Sequence, residues 1–182
     1  MFGRDPVITN VLPIDKWSQP IPQRETISDI LDAKSLSILR SVIGGTCVLI
    51  DPEDISITPQ PICDSTELAT DDAKLLATLL LDVESWFFAR KRCLPKGTAI
   101  IHFVSRAGDA RLLIGMSCED WELRAGGHSK GGFFDPVADQ VRDILKRTFP
   151  DIASSDDRSM WKLGAIEHMK QACIELQKEA EQ

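Results

Sequence analysis

Two consecutive stretches decide the fold of this chain, TDDAKLLATLLLDVESWFFARKRC at residues 70–93 and GTAIIHFVSRAGDARLLIGMSC at residues 97–118. In the first stretch, apolar residues recur every three or four positions as far as Phe87, which predicts one long amphipathic helix over 70–92. In the second stretch, two β-rich runs flank a short turn, which predicts a β-hairpin. Together they predict a helix that lies across one face of a sheet.

The turn of this hairpin determines which residues face each other. A two-residue turn at Ala107-Gly108 predicts that Phe103 faces Leu112 and that one face of the hairpin is almost entirely apolar. The opposite face is predicted to be mixed and partly exposed. Its residues are Ile100, His102, Val104, Arg111 and Leu113.

The remaining elements extend this unit into an α+β domain. Apolar spacing predicts helices over 26–43 and 136–147, and Asp32 can cap a second helix within the first of them. Gly44-Gly45 is predicted to end that first helix. The predicted fold is therefore α+β, with the long helix across one face of a mainly antiparallel sheet and the other helices at its flanks. The predicted strands cover about 46–58, 97–104, 110–118 and 121–125.

The chain length of 182 residues fits one domain with an arm and a tail. Four prolines within residues 1–25 disfavour a helix or a central strand, although apolar residues lie between them. This segment is predicted to be an extended arm. Residues 26–150 are predicted to form the single α+β domain, and residues 157–182 are predicted to form a C-terminal amphipathic helix.

The charge of the chain limits its partners. A formal net charge of -7 disfavours nucleic acid and anionic membranes, both of which require a positive surface, and suits either solubility or a basic protein partner. No apolar run reaches the length of a membrane span, which is roughly 18 residues. The first residues lack the order of a secretory signal, so the sequence as written predicts a cytoplasmic protein. If a signal peptide has been removed, the protein is an exported one.

Cys93 and Cys118 are the sharpest candidates for chemistry. The predicted register places Cys118 opposite Gly97, so the two sulfur atoms could approach each other, subject to the strict geometry of a disulfide. Three interpretations stay open: two buried free thiols, a disulfide if the protein is exported, or a redox or metal-binding pair. For a metal, the two cysteines would still need His128 or another ligand, and nothing at short spacing supplies one. Five cysteines without a CxxC pair favour reduced thiols.

The glycine-rich segment 126–132 has two interpretations. Its backbone amides and Lys130 would suit a phosphate group, but the residue order differs from that of a Walker loop. A mobile connection between elements is the preferred interpretation. His102, a single histidine in a predicted strand, is typical of a side chain with a structural hydrogen bond and does not predict catalysis.

Apolar side chains in the arm and in the C-terminal helix are the candidate partner-binding residues. In the helix they form a narrow stripe, which fits one groove on the chain's own domain or on a partner. In the arm, Trp17 is the best anchor. The candidates are Trp17, Trp161, Leu163, Ile166, Met169 and Leu176.

The segment KRCLP at 91–95, the hairpin that ends in Cys118 and the Phe-Pro pair at 149–150 resemble a loose group of small bacterial proteins of unknown function. These proteins share a helix that ends in a Lys-x-Cys-type turn, a β-hairpin that ends in cysteine and a short helix closed by Phe-Pro. The resemblance implies an α+β fold. Because some members look exported, it also favours a disulfide between Cys93 and Cys118. Members often carry a CxxC-like end to the second strand, whereas this chain has one cysteine there. The resemblance implies no activity.

The sequence offers no arrangement typical of a catalytic centre, which favours a non-enzymatic protein-binding module. One concrete version is an immunity- or inhibitor-type protein that acts against a basic toxin. The alternatives are a thiol-redox protein, a Cys/His metal-binding protein or a small-molecule enzyme. The sequence predicts no cofactor and no metal, and its expected partner is another protein or a second copy of the chain.

Overall fold

A computed structural model describes residues 26–51, 54, 59–88 and 97–150. The predicted arm and the predicted C-terminal helix lie outside the described residues. The helices are α1 (Ala33–Arg40), α2 (Thr70–Leu81) and α3 (Ala138–Thr148). The strands are β1 (Val42–Leu49), β2 (Thr66–Leu68), β3 (Ala99–Ser105), β4 (Gly108–Gly115), β5 (Asp120–Ala125) and β6 (His128–Phe133).

The described strands form one antiparallel sheet in the order β2-β1-β3-β4-β5-β6. Alternate strand residues join residues of all three helices in one buried cluster, so the helices cover one face of the sheet. The apolar side of α3 is buried there as predicted, through Val141, Ile144 and Leu145. The α+β class and the antiparallel sheet are confirmed. We call the face opposite the helices the open face; a small cluster of Val48, Ile50 and Ile100 is buried at one end of it, and the rest carries the functional groups discussed below.

The prediction of one long helix over 70–92 is wrong, because α2 ends at Leu81. The side chain of Asp82 accepts a hydrogen bond from the backbone N–H of Glu84 at 3.0 Å, which starts a separate 3-10 turn over Val83–Ser85. The indole Nε1 of Trp86 then donates to the carbonyl oxygen of Leu80 at 3.0 Å. The helix-like apolar spacing continues beyond Leu81 because side chains of this turn, such as Val83 and Trp86, also pack against the core.

The predicted helix over 26–43 is a 3-10 turn over Ile27–Asp29 followed by α1, and its predicted end is wrong, because residues 42 and 43 belong to β1. Asp32 caps α1 by accepting hydrogen bonds from the backbone N–H groups of Lys34 at 2.8 Å and Ser35 at 3.0 Å, so the predicted break is confirmed. The prediction that Gly44-Gly45 ends a helix is wrong, because both glycines lie within β1. A bulge there accommodates the close approach of the neighbouring strand.

The predicted register of the β3–β4 hairpin is wrong by two residues. Phe103 pairs with Ala110, and the turn residues are 106–107 because Ser105 pairs with Gly108. The hydroxyl of Ser105 donates to the carbonyl oxygen of Gly108 at 2.6 Å and accepts from the N–H of Ala107 at 3.1 Å, and these bonds stabilise the turn at its observed position. Because side chains alternate with a period of two, a shift of two residues leaves each side chain on its predicted face.

The glycine-rich segment 126–132, predicted as a mobile connection, belongs to a second hairpin. Gly126 and Gly127 both have positive φ angles, 56° and 84°, which is the conformation that a two-residue type I′ turn requires. β6 follows and pairs with β5 along its whole length: His128 is opposite Ala125 at one end, and Phe133 is opposite Asp120 at the other. The glycines therefore serve the turn and the outermost strand.

Two tryptophans provide a test of the core. Trp86 and Trp121 are both buried, with ring centroids 5.0 Å apart, but within the described part of the chain the Nε1 of Trp121 has no hydrogen-bond partner. Each Trp→Phe change removes the same atoms, but only Trp86→Phe leaves the carbonyl of Leu80 without its donor. We expect Trp86→Phe to destabilise by about 1–2 kcal/mol more than Trp121→Phe in urea denaturation. An equal loss in both variants would contradict the assigned hydrogen bond.

Candidate functional site

A row of polar side chains crosses the open face on five neighbouring strands. The sheet register places Thr46 opposite His102, His102 opposite Arg111, Arg111 opposite Arg124, and Arg124 opposite Ser129. Directly opposed residues have Cβ atoms roughly 4.5–5.5 Å apart. The row therefore brings two guanidinium groups, an imidazole and two hydroxyls together from distant parts of the sequence.

The two arginines differ in their partners. Arg124 donates from Nε to Glu122 Oε1 at 2.9 Å and from Nη2 to Glu122 Oε2 at 3.1 Å, while the hydroxyl of Ser129 also donates to Oε1. The hydrogen bonds from Arg124, with that from Ser129, hold the pKa of Glu122 below its usual value. By contrast, Arg111 has no ion pair or side-chain hydrogen bond to any described residue. Arg124 is therefore held by a hydrogen-bonded carboxylate, whereas Arg111 feels the charge of Glu122 without a hydrogen bond to it.

The pKa of His102 depends on its burial and on the charges beside it in this row. Partial burial of its imidazole lowers the pKa of His102 below the usual value, and the positive charge of Arg111 lowers the pKa further. The carboxylate of Asp109 acts in the opposite direction and is the weaker of the two charges at this position. Of these two charges, the positive one therefore has the larger effect on His102, although the whole chain is acidic.

Four members of this row line a shallow depression of about 370 Å³ on the open face: His102, Arg111, Arg124 and Ser129. The β5–β6 turn forms one wall, where His128 is exposed, and the β3 and β4 side chains form the floor. His128, one possible further ligand for a metal at the cysteine pair, lies at this wall. Among the described residues, no group of three His, Cys, Asp or Glu side chains could hold a metal ion.

An apolar patch lies at the end of β1 and β3. Val104 is 47% exposed and pairs with Gly44, and Ile43, in the adjoining bulge, is 50% exposed. We call these two residues the Ile43–Val104 patch. Asp109 is opposite Val104 on β4, and Glu67 of β2 is opposite Thr46 on the same face. Neither carboxylate has an ion pair with a described residue, so the patch has acidic groups at its margin.

Cys118 is buried and disulfide-bonded. Cys47 and Cys63 are free, and Cys93, the predicted partner of Cys118, lies outside the described residues. The predicted pairing with Cys93 therefore stays a prediction. Burial raises the pKa of the Cys47 thiol to about 12, which keeps that sulfur protonated and unreactive near neutral pH.

Thiol counting tests the state of Cys118. Of the five cysteines, one disulfide takes two and leaves three. We expect air-oxidised protein denatured without reductant to react with three equivalents of a thiol reagent, and with five after reduction. In the native protein Cys63 should react before Cys47, because Cys47 is fully buried. Five reactive thiols without reductant would contradict the disulfide.

The predicted partner-binding residues all lie outside the described residues: Trp17, Trp161, Leu163, Ile166, Met169 and Leu176. Sequence reasoning missed the opposed pair of Arg111 and Arg124. The available signal was the outward position of each arginine in its own strand, but the pairing requires the register between β4 and β5.

Comparisons with protein-family models, with curated proteins and with solved structures find no match to this chain. Among the described residues, no helix combines the length and the apolar character that a membrane span requires.

Proposed function

We propose that this chain is a non-enzymatic binding protein and that it contacts a basic protein partner through the Ile43–Val104 patch. The observation that carries the proposal is the pair of half-exposed aliphatic side chains, side by side on neighbouring strands of a face that the described helices leave open. Contiguous exposed apolar groups with a polar margin are typical of protein-binding surfaces.

The charge around the patch is mixed, because His102 and Arg106 flank Val104 along the chain, and the support for a basic partner comes from two nearby carboxylates and from the net charge. Asp109 and Glu67 lie at its margin on the same face, and the net charge of the whole chain is -7. Opposed charges at the rim of an interface speed association and select the partner, while the apolar centre provides most of the affinity. An immunity- or inhibitor-type role against a basic protein is one form of this function.

Capture from the source organism with matched variants tests the proposal. Val104→Lys places a positive charge in the patch, and Leu75→Lys makes a comparable change at an exposed leucine of α2, outside the patch. We expect the wild-type chain and Leu75→Lys to retain the same basic protein, and Val104→Lys to retain at least about tenfold less, since a charge buried against a partner is strongly unfavourable. Equal retention by both variants, or an acidic captured protein, would overturn the proposal.

The disulfide at Cys118 supports the exported alternative, because disulfides persist in oxidising compartments. It also distinguishes the proposal from a thiol-redox function. A structural disulfide should stay intact in a glutathione buffer at cytosolic potential, whereas a redox disulfide would be reduced and re-formed.

Stoichiometric zinc in the purified protein would favour the metal-binding alternative instead. Turnover of a small molecule would favour the enzymatic alternative.

A further inference from the structure

The opposed arginines on the open face form an arrangement that is unfavourable without a ligand. Arg111 and Arg124 occupy paired positions on neighbouring strands, and like charges directly opposite each other destabilise a sheet. Glu122 forms hydrogen bonds with only one of them, because its two oxygens accept from Arg124 and Ser129, and it acts on Arg111 only through its charge. An anion between the guanidinium groups would remove the remaining repulsion.

The same arrangement leaves donors available for an anion. Arg124 uses Nε and Nη2 for Glu122, so no described residue accepts from its Nη1, and the guanidinium of Arg111 has no hydrogen bond to a described residue. Arg124 donates from two nitrogens to Glu122, so its guanidinium is already oriented in the absence of a ligand. Two planar guanidinium groups with free N–H donors suit the oxygens of a phosphate.

The depression is larger than a single ion needs. Its volume of about 370 Å³ lies near the lower end of small-molecule sites, which run from roughly 300 to 1,000 Å³. His102 lies next to Arg111 in the row and His128 lies at the wall, so both can donate to a ligand oxygen. Asp109 also lines the depression and opposes an anion, but at His102 its charge is outweighed by that of Arg111.

We propose that this depression binds the phosphate group of a small molecule, with Arg111 and Arg124 as its principal donors. This inference does not depend on the protein-binding function, since it uses the arginine row and not the Ile43–Val104 patch. The shared chemistry is a tetrahedral phosphate, which inorganic phosphate and a phosphate monoester both present.

NMR of the histidine ring protons tests the proposal directly. We expect inorganic phosphate, added at low ionic strength, to shift the His102 resonance saturably, while sodium chloride at equal ionic strength does not. Bound phosphate should also raise the pKa of His102, because it neutralises the charge of Arg111. A parallel titration with glycerol phosphate separates the two sources: equal affinity indicates that the phosphate alone is recognised, and tighter binding indicates contacts to the rest of the molecule.

Two charge-matched variants decide the outcome. Arg111→Gln should weaken phosphate binding by at least about tenfold, the loss expected for hydrogen bonds to a charged group. Arg106→Gln removes the same charge from an exposed residue of the β3–β4 turn and should leave phosphate binding unchanged. Without phosphate, Arg111→Gln should unfold at the same or a higher temperature than wild type, since it relieves the repulsion. Absence of a saturable shift in wild type, or equal binding by the two variants, would overturn the proposal.

Discussion

Gly45→Ala is expected to lower the free energy of unfolding by about 3 kcal/mol or more, because it forces a backbone collision inside the sheet. A Cβ atom at Gly45 would lie 2.5 Å from the carbonyl oxygen of His102, which belongs to the neighbouring strand β3. A backbone oxygen within a ladder cannot move aside as a side chain does. β1 and β3 would have to separate where the sheet is most extensively paired.

Gly44→Ala is the matched control for this prediction. A Cβ atom at Gly44 would meet no described atom within 4 Å, although the two glycines are adjacent in β1. We expect its free energy of unfolding to stay within about 0.5 kcal/mol of wild type. Urea denaturation of both variants provides the measurement, and equal effects at the two positions would show that the pairing of β1 with β3 is wrong.

Leu112→Ala is expected to destabilise the protein by about 2–5 kcal/mol, whereas Leu113→Ala, one residue later, should cost about 1 kcal/mol. Leu112 is fully buried in the core beneath the helices. Leu113 is half-buried on the open face, against a small cluster with Ile100 and Ile50. Truncation leaves a cavity at the first position and a surface that water can fill at the second.

The comparison of these two leucines measures how much more deeply side chains are buried on the covered face than on the open face. Both variants remove the same atoms from the same strand, so their difference reports burial alone. The slope of unfolding free energy against urea should be the same in both, since neither change alters the surface exposed on unfolding. A larger loss for Leu113→Ala would mean that the open face is the better packed one.

The faces of the strands were predictable from the sequence, whereas their pairing was not. Apolar alternation assigned Phe103 and Leu112 to the covered face and Arg111 to the other face. It did so even with the wrong register, because the error was two residues. The register itself depends on the hydroxyl of Ser105 and its bonds across the turn. Such local hydrogen bonds can move a turn away from the position that the glycines alone would predict.

The end of α2 and the existence of β6 were missed for similar reasons. Periodicity continued past Leu81, but the side chain of Asp82 stabilises a turn there and Trp86 reaches the core from outside the helix. β6 contains two glycines, whose low strand propensity hides a strand that its neighbour stabilises. The opposed arginines depend on the register of β4 with β5, and the rest of the depression depends on the second hairpin, so the candidate phosphate site could not be predicted from the sequence.

The most direct test of this account asks whether the face opposite the helices is open to solvent and to a partner. Val104→Cys introduces a thiol on that face, and Ala110→Cys introduces one on the covered face of the adjoining strand. Native labelling, read by peptide mass spectrometry to separate these thiols from the other cysteines, should modify Val104→Cys at least about a hundredfold faster than Ala110→Cys, since a buried thiol reacts only after local unfolding. Equal protection of both thiols would contradict the account, because the proposed binding surface would then be covered.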